Sequence, residues 1–224
     1  MKQQGKFFID HINEAQWLKS RRNFLTGSEA ASYCSQNPYD ANAALHLWEE
    51  KTGQRQPEDI SGKAAVVYGK KAEEHLRALF LLFHTEYECE YHKYGIYINP
   101  HRPYMGATLD GLLADRQTKE KIILEIKTTT LHNSEALRNW LDGQIPIQYY
   151  CQILHQLHCL PQAHGVVVFA QIKTEWNPEQ STLVEHLFRR EAVPAEDMEW
   201  VLAKADKMYH LIQTRKRPAT MVSL

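Results

Sequence analysis

Residues 105–130 read MGATLDGLLADRQTKEKIILEIKTTT, two strand-like runs on either side of the polar loop 115–120. If that loop is symmetric, its centre falls between Gln117 and Thr118, and Asp110 then stands across a hairpin from Glu125. Like charges directly opposite are destabilising, so such a pair needs a shared proton or a cation between them. Lys127 lies two positions past Glu125 and projects from the same face, because side-chain direction in a strand repeats every second residue. Ile126 turns its side chain the other way, which leaves its backbone carbonyl as a further oxygen ligand. A Glu-x-Lys pattern alone is also what a solvated edge strand looks like. Here Ile122-Ile123-Leu124 reads as a buried run, so a charged pair at its end calls for a reason, and Asp110 adds the second carboxylate. The set points to a hard cation of the magnesium type, which takes oxygen ligands and keeps several waters, with the ammonium orienting or helping to deprotonate one of them.

On the N-terminal side, Ala72, Leu76, Leu79, Phe80 and Phe83 recur at helical spacing and predict a helix over about 66–84. Glu73 shares a stripe with Leu76, Phe80 and Phe83, whereas Glu74 is turned about 100° away, so Glu73 is the inward carboxylate. Strands are predicted at 87–98, 104–113 and 121–129. Upstream, 10–52 reads as helical, with Gly27-Ser28 as a break and N-cap, a turn at 37–39 and a helix over Ala43–Lys51, while 53–64 is a loop.

On the C-terminal side, a helix at about 146–160 carries an apolar stripe of Ile147, Tyr150, Leu154 and Leu157 beside a polar one of Gln148, Gln152 and His155. The run HGVVVFAQI suits a buried strand, 182–190 a more exposed one, and Pro194 opens a closing helix through about Thr214. The order predicts an α/β (α+β) fold with a central mixed β-sheet flanked by helices.

A chain of 224 residues can bury one substantial core, and a single domain over 1–224 is the expectation. No apolar run approaches the ~18–20 residues of a membrane span, and the N-terminal stretch lacks the apolar segment of a secretory leader, so the expected location is cytoplasmic. The four cysteines are scattered and include no C-x-x-C pair, so neither a zinc site nor a disulfide framework is suggested. A net charge of −1 leaves the partner undecided, since an enzyme can gather its basic residues in one groove.

Four signatures occur in order: Arg21 with Thr26-Gly27-Ser28-Glu29; Gly69-Lys70-Lys71-Ala72-Glu73; Thr108-Leu109-Asp110-Gly111 with Leu124-Glu125-Ile126-Lys127; and Tyr149-Tyr150-Cys151-Gln152 with His155-Gln156-Leu157. Over about 17–215 the chain resembles the lambda exonuclease and YqaJ-type viral recombinase group of the PD-(D/E)-x-K nucleases. The resemblance implies a restriction-endonuclease-like core and two-metal phosphodiester hydrolysis with Mg2+, for which Mn2+ substitutes. By that resemblance Asp110, Glu125 and the Ile126 carbonyl hold metal, Glu73 serves the second ion, Lys127 the nucleophile, and Gln152 the water or scissile phosphate. Arg21 and Ser28 match residues that hold a terminal 5′ phosphate. The resemblance also implies a homotrimeric ring on double-stranded DNA ends, digestion from 5′ to 3′, and transfer of the remaining strand to a single-strand annealing protein, in a host cell's cytoplasm if a phage encodes the chain. Leu109 and Thr128-Thr129 depart from the family's usual Pro before the aspartate and Cys-Pro after the lysine. The other readings are a restriction-like endonuclease and a non-catalytic DNA-binding module of the same fold. A Cas4-like nuclease would need a cysteine quartet whose spacings are absent here.

Overall fold

The structure, a computed structural model, describes residues 7–219. The ends of the expected 1–224 domain, and part of the stretch read for a leader, lie outside the described residues. In chain order the first half runs β1 (Phe8–Asp10), α1 (Glu14–Arg21), β2 (Leu25–Thr26), a 3-10 turn (Gly27–Glu29), α2 (Ala30–Tyr33), α3 (Ala43–Lys51) and α4 (Ala64–Phe83). There follow β3 (Tyr87–Glu90), β4 (Gly95–Ile98), β5 (Met105–Ala107), β6 (Gly111–Asp115), β7 (Lys121–Leu131), α5 (Ser134–Leu141), α6 (Ile147–Cys159), β8 (Ala163–Thr174), β9 (Asn177–Arg189) and α7 (Ala195–Gln213).

The main sheet has the order β3-β6-β7-β8-β9 and is mixed: β7 and β8 run parallel, and every other pair is antiparallel. Alternation along β7 fixes its two faces. Ile122, Leu124 and Ile126 pack with Leu76 and Phe80 of α4, while Ile123 joins Leu154 and Leu157 of α6 and Val201 and Ala205 of α7. Each large aliphatic side chain buried in this way contributes about 1.5–3 kcal/mol.

The predicted central mixed sheet is therefore present, and a second one accompanies it, in the order β1-β4-β5-β2. That second sheet corrects two predicted strands. The stretch 87–98 is β3 and β4, in different sheets, because the Gly95 N–H turns back to the His92 carbonyl at 3.0 Å. Likewise 104–113 is β5 and β6, and residues 108–110 carry the chain from one sheet to the other. The helix α5, capped by the Asn133 side chain, was not foreseen. Phe83 and Ile147, both expected on buried stripes, are exposed. Ser28 does not cap a helix: Thr26 is the N-cap residue, and the Glu29 carboxylate closes back on the Thr26 N–H at 2.9 Å.

Candidate active site

The predicted register holds. Gly111 pairs with Leu124 and Ala114 with Lys121, so extending the ladder by one step sets Asp110 opposite Glu125. Asp110 itself lies just before β6, and its Oδ2 takes the place of a strand by accepting the Ile126 N–H at 2.7 Å. The N–H and C=O of one strand residue point to the same neighbour. The Ile126 carbonyl is thereby directed to the Asp110 side, beyond the end of β6.

Glu125 is 3% exposed and lies under α6. Its Oε1 accepts from Lys127 Nζ at 2.6 Å and from Gln152 Nε2 at 2.6 Å, and its Oε2 from Gln156 Nε2 at 2.5 Å. Gln152 also accepts from Lys127 Nζ at 2.8 Å, so one amide orients the lysine and the carboxylate together. The Lys127 ammonium lies 4.8 Å from the centroid of the Tyr149 ring. Burial alone would lower this ammonium, but the Glu125 and Asp110 carboxylates outweigh it and hold it above its ordinary value. Lys127 is therefore a charged donor here.

From the other side, α4 supplies Glu73 while Glu74 is exposed, as the helix geometry required. The buried Arg77 guanidinium donates to Glu73 Oε1 at 3.1 Å and to the Asp110 carbonyl at 2.8 Å, and lies 3.5 Å from the centroid of the Tyr91 ring. Burial and the Glu73 carboxylate push the Tyr91 hydroxyl up to about 12, so it too donates to Glu73 Oε1, at 3.3 Å. Burial raises the Asp110 carboxyl well above the usual range, and Glu125 and Glu73 raise it further. Glu73 is raised by burial, with Arg77 and Tyr91 pulling the other way. Three carboxylates thus feel one another in one space. Among the described residues no three His, Cys, Asp or Glu side chains close into a cage for an ion.

Arg21 and Ser28 also come together. The Arg21 guanidinium donates to the Ser28 hydroxyl and, at 3.4 Å, to Thr26 Oγ1. Lys51 braces this turn from α3 by holding Glu29 at 2.9 Å and the Phe24 carbonyl at 2.6 Å. Between Thr26 and Ser28, Gly27 packs on α6 so closely that a Cβ would stand 3.3 Å from Gln152 Cγ and 3.6 Å from Gln156 Cγ. Gly27 thus links the Arg21 cluster to the two glutamines that hold Glu125.

Sequence reasoning gave no role to Arg77, Tyr91 or Gln156. Arg77 lies one turn past Glu73, and Gln156 one turn past Gln152, which is the signal that was available. His155, expected on a polar stripe, is fully buried between the Tyr33 hydroxyl and the Gly106 carbonyl, and burial lowers it to about 4.

Comparison with known proteins agrees with this architecture. An alkaline exonuclease (LHK-Exo) from Laribacter hongkongensis superposes with a TM-score of 0.64 at 21% identity, covering 91% of this chain and 96% of that one. LHK-Exo in complex with dAMP matches equally well, and at this identity the likeness is one of fold. The uncharacterized protein YqaJ of Bacillus subtilis (strain 168) is 28% identical over 186 residues, which cover 80% of this chain and 54% of that protein. The chain thus spans about half the length of that relative. The YqaJ-like viral recombinase domain matches residues 16–164, well over half of the chain and the whole of the Asp110–Glu125–Lys127 cluster, and the protein belongs to that family.

Proposed function

We propose that this chain is a metal-dependent deoxyribonuclease that trims linear double-stranded DNA from its ends. The observation that carries the reading is the meeting of Asp110, Glu125 and Lys127 where the β6 ladder stops, with Glu73 opposite. The donor set is all oxygen, which suits Mg2+, an ion bound by one or two carboxylates plus substrate phosphate, and Mn2+ in its place. Asp110, Glu125 and the Ile126 carbonyl would hold one ion and Glu73 would serve a second. Such ions would supply Lewis acidity and an activated water.

The chain's own groups do the rest. Lys127, fixed between Glu125 and Gln152, offers a positive charge to the reacting phosphate. Gln152, held between Lys127 and Glu125, keeps both in register. Arg21, with more donors than the Thr26 and Ser28 hydroxyls use, would grip a terminal 5′ phosphate. That grip favours ends over interior sites and digestion from 5′ to 3′, in a single nuclease domain. LHK-Exo has been solved with dAMP, and a nucleoside monophosphate is the product class expected here. By the same family resemblance the working form is a trimeric ring that passes the surviving strand to a single-strand annealing protein.

The test compares linear duplexes carrying 5′-phosphate or 5′-hydroxyl ends. Wild-type protein should prefer the phosphorylated end, and Arg21→Ala should erase most of that preference while retaining metal-dependent hydrolysis. Equal rates on both ends, with cutting of closed circular duplex, would favour a restriction-like endonuclease instead.

A further inference from the structure

Gln156 is fully buried, yet its amide oxygen has no hydrogen-bond partner among the described residues. A buried unsatisfied amide oxygen destabilises a fold, and an apolar side chain of similar shape would remove the cost. Its orientation is nonetheless fixed, because turning the amide over would set its oxygen against Glu125 Oε2. The residue thus gives up stability to place one N–H at 2.5 Å from that carboxylate.

A carboxylate has about four lone-pair sites. At Glu125, Lys127 and Gln152 fill both on Oε1, and Gln156 fills one on Oε2, so a single site on Oε2 is left. Among the described residues no other side chain donates to Oε2, so without Gln156 the carboxylate, whose terminal torsion is soft, would lose its hold on that side. Gly27 braces the arrangement from behind, packed on the carbon chains of Gln152 and Gln156.

We propose that Gln156 is a positioning residue that fixes the Glu125 carboxylate so that one Oε2 lone pair is reserved for a divalent cation. The inference rests on the metal-dependent reading above. It separates Gln156 from the packing residues around it, since its contribution goes to the site and not to the fold.

The experiment measures Mn2+ binding without DNA by calorimetry, then steady-state digestion of linear duplex, then thermal melting, for wild type and Gln156→Met. Partners one step removed from a metal are worth about 10–100-fold in affinity or activity. Gln156→Met should weaken Mn2+ binding and lower kcat within that range, leave KM for DNA within about twofold, and melt near wild type, because the lost hydrogen bond and the removed orphan oxygen offset each other. Gln156→Asn, one methylene too short to reach Glu125, should show the same loss and serves if the methionine variant does not fold. Wild-type Mn2+ affinity and kcat in a folded variant would overturn the proposal, as would a loss confined to melting temperature. Failure of the wild-type protein to bind Mn2+ or digest DNA would instead strike the functional reading on which the proposal stands.

Discussion

The two halves of β7 are built for different purposes. Over residues 121–124 the strand pairs with β6 on one side and β8 on the other, and Ile122, Ile123 and Leu124 are almost fully buried. From Glu125 onward β8 continues to pair as far as Leu131, but β6 has ended, and a side chain, that of Asp110, takes up the Ile126 N–H. Beyond the exposed Lys121, the first half is satisfied and apolar. The second gathers like charges and leans on a buried glutamine with an unpartnered oxygen. The candidate site thus sits where a hydrogen-bond ladder stops inside a well-packed sheet, with Lys127 paired to Glu125 and Arg77 to Glu73 while Asp110 is left without a cation of its own among the described ion pairs.

The largest expected contrast comes from substituting one residue in each setting. Ionised Asp110 works against its own burial and against Glu125 and Glu73, so its raised folded value means that the charge destabilises the fold as pH rises above the ordinary carboxylate range. Asp110→Asn should therefore raise the melting temperature of the metal-free protein at pH 8, lose that gain toward pH 4, and lower turnover by more than about a hundredfold. Ile123→Ala should do the reverse, costing about 2–5 kcal/mol of stability while the folded fraction keeps its chemistry. If both variants lowered stability alike, the distinction between the halves would fail.

A smaller contrast lies on α4. Glu73 Oε1 is held by Arg77 and Tyr91, whereas Glu74 is exposed. Glu73→Gln should slow digestion at least about tenfold and Glu74→Gln by less than about twofold. Equal losses would mean that the inward face of α4 carries no chemistry.

The smallest effect tests a tether far from the ladder's end. His84, at the close of α4, bonds Glu86 at 3.0 Å and Glu185 of β9 at 2.8 Å. Burial lowers its ring, but the two carboxylates outweigh burial and raise it above its ordinary value. The contribution is therefore full below about pH 6.5 and fades as pH rises through the raised folded value. His84→Gln should lower the melting temperature slightly at pH 6 and not at pH 9, in keeping with the ~1 kcal/mol ceiling for exposed pairs.

Much of this was legible in the sequence, for physical reasons. A symmetric loop and a period of two were enough to set Asp110 against Glu125 and Lys127 beside it, and a period of 3.6 separated Glu73 from Glu74. What stayed hidden depended on what lies on the far side of an element. The helix α6 is buried on nearly all sides, so its periodicity could not show that Gln156 faces Glu125. Nothing in the sequence around Arg77 marks it as buried, because the Asp110 carbonyl and the Tyr91 ring that enclose it come from distant parts of the chain. Residues 91–94 have the composition of a strand, and only the turn at Gly95 divides β3 from β4. Two- and three-residue strands such as β2 and β1 leave no period to detect.

If the end of this ladder hydrolyses DNA from free ends with a divalent ion, cleavage must depend on both the end and the metal. The most direct test is one digestion series: linear duplex labelled at either 5′ or 3′ end, and closed circular duplex, each with Mg2+ and with a chelator. The 5′ label should be released first, the circle should stay intact, and the chelator should stop the reaction. Release that persists in chelator, or cutting of the circle as fast as the linear duplex, would contradict that dependence.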